Sequence, residues 1–185
     1  MGRSLEGEEI TPNINKLLKD SYHFPNGGYS IGGGKTSDSD FTTNTSLYPL
    51  EDASVFVQHG RHDFTSLPKV LSKNGYPTYV YHAYKRDFWN RGVGFNSLGF
   101  DRYYDENDYP KGKSIIMGLN DEDFYLETLE KIKEKEGPSY HYLNSLTSHY
   151  PFDMAPEHHF LSANEDDYDY RTYHYFQSIR YADYA

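Results

Sequence analysis

Ile14, Leu17 and Leu18 repeat at the three-to-four spacing of one helix face, directly after Thr11-Pro12. That pair reads as a side-chain cap followed by proline at the first helical position. The pattern predicts a helix over 12–20 with a buried stripe, and a short strand in "SYHF" after it. From 63 to 73, Phe64, Leu67, Val70 and Leu71 again fall at helical spacing, although Pro68 allows the helix to start as late as Ser66. Gly75 closes it, and "PTYVYHA" is rich in β-formers. The same sequence of elements recurs later. "LNDEDFYLETLEKIKEKEG" is amphipathic, acidic in its first turn and basic later as the helix dipole favours, and "SYHYLNSLTSH" follows as a strand running into a loop. A final helical pattern runs from about Tyr168 to Ala185 without a closing glycine, which raises the expectation of a truncated domain. Helix, turn and strand in repetition predict an α/β fold, a central and mostly parallel sheet flanked by helices. Sites in such sheets gather at the carboxyl ends of strands, which is where His82 and His149 fall.

Composition sharpens this picture. Leu, Ile, Val and Phe together supply only 37 of 185 residues, near the roughly 20% at which charged chains stay disordered. Twenty tyrosines and 11 phenylalanines decide for a folded chain, because disordered segments are poor in aromatics. A net charge of -10 argues against nucleic acid, whose phosphates demand clustered Lys and Arg. The absence of cysteine excludes disulfide scaffolds, cysteine-based zinc sites and thiol catalysis. No run approaches the ~20 apolar residues of a membrane span and no signal-peptide core follows Met1, so this stretch is expected to be soluble.

Three segments could carry chemistry. "GGGKTSDSD" looks at first like a phosphate-binding P-loop, but the position that needs the first glycine holds Tyr29 and no hydrophobic strand precedes it. Thr36 instead opens a helix after a glycine run that permits close backbone approach and positive φ. A divalent cation that deprotonated its hydroxyl would make it a nucleophile. The plainer alternative is that Thr36 only caps the helix, with Asp38 and Asp40 favouring its dipole. The second segment, "YHAYKRDFWNRGVGF", holds His82, Lys85, Arg86, the single tryptophan Trp89, and Arg91. It offers a guanidinium fork, an indole face and an imidazole for a phosphate or polyol head group. It could equally hold a cation–π pair and a satisfied histidine in a tyrosine-rich core. In the third, "SLTSHYPFD", His149 could donate to an anionic oxygen or shuttle a proton, or be structural. His158-His159 lie in an acidic and apparently exposed stretch without metal-ligand spacing, and the charge run at 164–169 reads as a solvated face.

"ITPNINKL", "GKTSDSDFTTNTSLYPL", "LPKVLSKNGY", "YHAYKRDFWNRGVGFNSLGFDRYYDE", "SLTSHYPF" and "YFQSIRYADYA", in this order, resemble the extracellular catalytic domain of the lipoteichoic acid synthase family. These are phosphoglycerol transferases of the sulfatase and alkaline-phosphatase superfamily. The resemblance covers nearly the whole chain. It implies that Thr36 attacks the phosphodiester of phosphatidylglycerol, forms a covalent glycerophospho-threonine, and passes glycerol phosphate to a polyglycerolphosphate chain. It implies that His82, Trp89, Arg91 and His149 bind the head group, and that a manganese-type divalent metal is bound by Thr36, an upstream glutamate and a downstream Asp-His pair. Of those ligands only Thr36 matches here. Glu6, Glu8 and Glu9 are poor substitutes for the glutamate, and Tyr84 stands where an acidic residue is expected two positions after His82. The resemblance therefore implies a partial domain, residues 1–185, lacking its N- and C-terminal metal-binding strands and inactive alone. Its parent would be membrane-anchored and act on the extracellular face of the cell membrane. The alternatives are a sulfatase- or phosphodiesterase-type hydrolase of another anionic ester, and a non-catalytic module that binds teichoic-acid-like polymer.

Overall fold

The structure, a computed structural model, describes residues 2–28, 31–110 and 114–185. Tyr29, where a P-loop would need its first glycine, lies outside the described residues. In chain order the main elements are β1 (Ser4–Leu5), β2 (Glu8–Glu9), α1 (Pro12–Leu17), α2 (Thr36–Thr45), α3 (Val55–His59), α4 (Leu67–Lys73) and β3 (Thr78–Tyr81). They continue with α5 (Arg91–Ser97), β4 (Arg102–Tyr104), β5 (Ser114–Ile115), β6 (Gly118–Leu119), α6 (Asp121–Lys133), β7 (Tyr140–Leu143) and α7 (Tyr170–Tyr184). The chain divides into two compact units. The sheet unit comprises Gly27–Tyr109 and Glu130–Asn144, and the terminal unit comprises Met1–Asn26, Pro110–Leu129 and Ser145–Ala185.

The sheet unit is the predicted α/β arrangement. β3 lies between β4 and β7, and both pairings are parallel. Val80 stands opposite Tyr103 on one side and Tyr142 on the other. Because side chains alternate along a strand, this register gathers Val80, Tyr103, Tyr140 and Tyr142 on one face. They pack with Phe41 of α2, Val55 and Phe56 of α3, Phe95 of α5, and Leu98 just after it. Phe95 meets Phe56, Phe100, Tyr103 and Tyr142 edge-on at centroid distances of 5.2–6.3 Å, so aromatic edges replace the missing aliphatic volume. Gly94 lets α5 close onto α3, since a Cβ there would stand 2.4 Å from the Phe56 ring. α4 begins after Ser66, whose hydroxyl accepts the Lys69 N–H, with Pro68 in the first turn. Its apolar stripe is only partly covered, for Leu67 and Val70 are exposed.

The terminal unit corrects several expectations. α1 forms where Pro12 predicts it, but it buries no residue, and Ile14 and Leu17 are exposed. Thr11 does not cap it. Asp183 of α7 does, accepting the Asn13 and Ile14 N–H groups at 2.9 and 2.8 Å. "SYHF" is not a strand, because nothing pairs with it among the described residues. α7 forms as predicted behind Asp169, which accepts the Thr172 N–H, and with Ile115, Met154 and Phe160 it buries Tyr181. His158 and His159 are half-buried rather than exposed, packed on Tyr181 and on Tyr173 and His174. The acidic run near 165 is exposed as expected.

Candidate active site

The glycine run before Thr36 is used for close approach, not for positive φ. A Cβ on Gly33 would stand 2.4 Å from the Asp52 carbonyl carbon, and one on Gly34 would stand 2.2 Å from Asp38 Oδ1 and 2.7 Å from Ser54 Cα. The left-handed turn falls on Lys35 instead (φ 51°, ψ −121°), a conformation that favours glycine and is strained for lysine. The turn is held from both sides. Asp38 Oδ2 accepts the Gly32 and Gly34 N–H groups at 2.8 and 2.9 Å, and Ser37 Oγ bonds Gly34 O and Ser54 Oγ. Thr36 is thereby delivered as the first residue of α2. It is exposed, Lys35 occupies the cap position, and the Thr36 hydroxyl makes no hydrogen bond among the described residues. Capping therefore does not account for this threonine.

One turn further along α2, Asp40 is buried at 1% exposure and accepts from three partners. Arg91 Nε donates to Oδ2 at 2.8 Å, while the Tyr142 hydroxyl and Asn144 Nδ2 donate to Oδ1 at 3.0 and 3.2 Å. Arg91 is itself 2% exposed, and that single Nε contact is the only hydrogen bond of its side chain among the described residues. No aromatic ring stacks on it there, so the cation–π alternative applies to Arg86 on Tyr103 and not to Arg91. Arg86 is further committed to Asp105. Burial pushes the Asp40 carboxyl above its ordinary range, with Arg91 and the Tyr142 hydroxyl acting the other way. Burial and the neighbouring carboxylate push the Tyr142 phenol up, which keeps it a donor.

His82 follows the last residue of β3, on the same face as Val80, and is 2% exposed. Its Nδ1 lies 2.8 Å from the Asn144 carbonyl oxygen. A carbonyl can only accept, so Nδ1 carries the proton. Burial, then the Arg91 charge, lowers the His82 pKa to about 4, so the ring is neutral at pH 7 and Nε2 presents a lone pair. That Nε2 is buried without a partner among the described residues. Trp89 and Asn90 precede α5 in consecutive left-handed conformations (φ 56° and 55°), and Asn90 Nδ2 anchors the turn on the Phe56 carbonyl at 2.6 Å. Two strained residues in succession beside a buried arginine fit a turn shaped to present side chains. Tyr84 packs edge-on against His82 and Phe88.

The sheet unit thus holds Thr36, His82, Trp89 and Arg91, and the Asp40–Asn144 bridge links three of the elements that carry them. His149 belongs to the terminal unit. It is exposed, with Nδ1 2.7 Å from the Tyr150 carbonyl oxygen. The segment before it is pinned by Asp121, whose Oδ1 accepts the Leu146 and Thr147 N–H groups at 2.9 Å while its own N–H donates to Thr147 Oγ1. Reading the sequence missed Asp40's partnership with Arg91, and missed Tyr142 and Asn144 altogether. The available signal was the position of Asp40, four residues after Thr36 on the same helix face.

A divalent cation needs several oxygen or nitrogen donors together. Among the described residues no group of three or more His, Asp or Glu side chains could hold one. Asp40 is committed to Arg91, Tyr142 and Asn144, and Glu6, Glu8 and Glu9 bond Tyr168, the Ser162 amide and Asn15. Asp38 Oδ1 is buried without a partner among the described residues, but one such oxygen and one hydroxyl fall short of a site. The residues present do not make up the expected metal centre.

The parallel sheet flanked by helices is that of an alkaline-phosphatase-like α/β domain. The sulfatase family model matches residues 2–185, and the chain belongs to that family. Among curated proteins it is 36% identical to lipoteichoic acid synthase 1 of Bacillus subtilis over 98% of this chain and 29% of the relative. It is 35% identical to the lipoteichoic acid synthase of Staphylococcus aureus (strain USA300) over 100% of this chain and 29% of that protein. The chain therefore spans about three-tenths of the length of these relatives. Its fold matches the crystal structure of the lipoteichoic acid synthase LtaP from Listeria monocytogenes with a TM-score of 0.92 at 26% identity, covering 98% of this chain and 45% of that one. It also matches the phosphoglycerol transferase GacH of Streptococcus pyogenes, solved with sn-glycerol-1-phosphate, with a TM-score of 0.67 over 96% of this chain and 49% of that one. At 17% identity that likeness concerns the fold alone. Among the described residues no helix is long and apolar enough to cross a membrane.

Proposed function

We propose that this chain carries the nucleophile and most of the head-group pocket of a phosphoglycerol transferase that uses phosphatidylglycerol to extend a polyglycerolphosphate chain. The observation that carries the reading is an exposed Thr36 hydroxyl, unused in capping, on the helix whose next turn holds the buried Arg91. In the proposed reaction the Thr36 Oγ–P bond forms as the bond from phosphorus to the diacylglycerol oxygen breaks. The hydroxyl proton leaves Thr36, and one proton is returned to diacylglycerol. The acceptor hydroxyl oxygen then bonds to phosphorus as the Oγ–P bond breaks, and the proton the acceptor loses is balanced by the one Thr36 Oγ regains. Arg91 and Trp89 take the glycerol phosphate and His82 Nε2 accepts from a hydroxyl, while His149 keeps the head-group role that the family resemblance implies for it. The metal donors other than Thr36 are proposed to lie outside these 185 residues, and the site of action is proposed to be the extracellular face of the cell membrane. The chain alone, given manganese, is accordingly expected not to turn over phosphatidylglycerol.

The test is titration of the chain with sn-glycerol 1-phosphate. Trp89→Ala and Arg91→Lys should each weaken binding by about tenfold, since a stacked or forked contact is lost. Inorganic sulfate that binds as tightly as glycerol phosphate would instead favour a sulfatase-type hydrolase. Fluorescent phosphatidylglycerol turned over by the wild-type chain with manganese, but not by Thr36→Ala, would overturn the expected inactivity.

A further inference from the structure

We infer that Asp40 is the positioning residue of this site, setting where Arg91 and His82 present their free nitrogens. The inference rests on the head-group reading of those two side chains. A buried ion pair is a poor stabilising device, because desolvation offsets most of its attraction and an apolar pair of similar volume serves as well or better. When such a pair does serve stability, the favoured geometry is bidentate, fork to carboxylate. Here the carboxylate takes only Nε, at 2.8 Å, and Nη1 and Nη2 make no hydrogen bond among the described residues although the side chain is 98% buried. The guanidinium is gripped by its side and its terminal end is left for another anion.

The other carboxylate oxygen completes the device. Oδ1 accepts from Asn144 Nδ2 at 3.2 Å, and the carbonyl of that same asparagine takes the His82 Nδ1 proton at 2.8 Å. His82 is thereby fixed as the tautomer whose lone pair is on Nε2, an atom buried without a partner among the described residues. Oδ1 takes two donors and Oδ2 takes Arg91 Nε, and the residue is 1% exposed, so Asp40 is turned to its protein partners and acts through them. Because it sits one helical turn from Thr36, the same carboxylate also fixes the nucleophile's helix against the two groups that would hold the phosphate.

Nitrogen-15 NMR of the full 185-residue chain, combined with sn-glycerol 1-phosphate titration, tests this. Asp40→Asn keeps the shape and removes the charge. We expect Arg91 Nε–H exchange with solvent to accelerate by about tenfold or more, the His82 ring to lose its single tautomer, and ligand affinity to fall by about tenfold. In an Arg91→Lys background the same substitution should change affinity by less than about twofold. A purely structural role would lower the unfolding midpoint while leaving affinity and the Nε–H signal of the folded molecules unchanged. A folded Asp40→Asn chain with wild-type affinity, or equal losses in both backgrounds, overturns the inference. If Asp40→Asn does not fold, Tyr142→Phe combined with Asn144→Ala strips Oδ1 of its donors. A several-fold loss of affinity with a shifted Arg91 Nε–H supports the assignment, and wild-type behaviour overturns it. Failure of the wild-type chain to bind sn-glycerol 1-phosphate overturns the head-group reading and this assignment together, whereas equal binding by wild type and Asp40→Asn overturns the assignment alone.

Discussion

His82 should make the sheet unit acid-labile in a calculable way. Its pKa is 6.5 in an exposed chain and about 4 in the fold, where burial and then the Arg91 charge penalise the imidazolium. A base whose folded pKa is depressed leaves the folded state undisturbed above pH 6.5. Between pH 6.5 and about 4 the unfolded chain takes up the proton first, so stability falls as pH falls. The interval of about 2.5 units corresponds to about 3 kcal/mol at its limit, with about 2 kcal/mol already lost at pH 5. The comparison is His82→Asn, whose side-chain amide can still donate to the Asn144 carbonyl but cannot titrate. Urea unfolding at a series of pH values from 7.5 to 4 reads the difference. The variant should begin less stable, because a ring is removed from a buried site, and should then lose less stability on acidification than wild type by about 2 kcal/mol at pH 5. Parallel pH profiles for the two proteins would refute the claim that His82 is buried and neutral.

Three further outcomes follow from particular contacts. Gly34→Ala should lower stability by about 1–3 kcal/mol in thermal unfolding, because its methyl would meet Asp38 Oδ1 and the Ser54 backbone, whereas Gly28→Ala, with open space around it, should be nearly neutral. Lys35→Gly should raise stability by about 1 kcal/mol in the same assay by relieving a left-handed lysine, and a destabilised variant would contradict the strain. Asp183→Ala should remove the cap of α1 at a cost of about 1–2 kcal/mol, with amide exchange at Asn13 and Ile14 accelerating; unchanged exchange there would show the cap to be dispensable.

Elements that declare themselves within a few residues were legible in advance. Pro12 and Pro68 marked two helix starts, the acidic-to-basic gradient marked α6, and β3 and β7 showed as runs of β-formers between turns. Spacing misled where it was taken to imply burial: Ile14 and Leu17 keep helical periodicity and stay exposed. The short elements α3, α5 and β4 carry too few residues for a period to show. Local cap chemistry pointed to Thr11, but the acceptor that α1 uses lies 170 residues away in α7. The site divides in the same way. Thr36, His82, Trp89 and Arg91 stand in recognisable motifs, whereas Asp40 acquires its meaning from partners 51 and 104 residues distant, Arg91 and Asn144. No periodicity or motif along the chain encodes such a pairing, which exists only once β7 is laid beside β3.

The central claim is that this chain supplies the nucleophile and the head-group pocket of a phosphoglycerol transferase. It is tested most directly by grafting residues 1–185 in place of the matching 29% of Bacillus subtilis lipoteichoic acid synthase 1, to which the chain is 36% identical. The chimera is then incubated with phosphatidylglycerol, and the Thr36 peptide is mapped by mass spectrometry. The account predicts a glycerophosphate adduct on Thr36 and polymer formation, both abolished by Thr36→Ala. A Thr36→Ala chimera that makes polymer as fast as the unsubstituted one would contradict it.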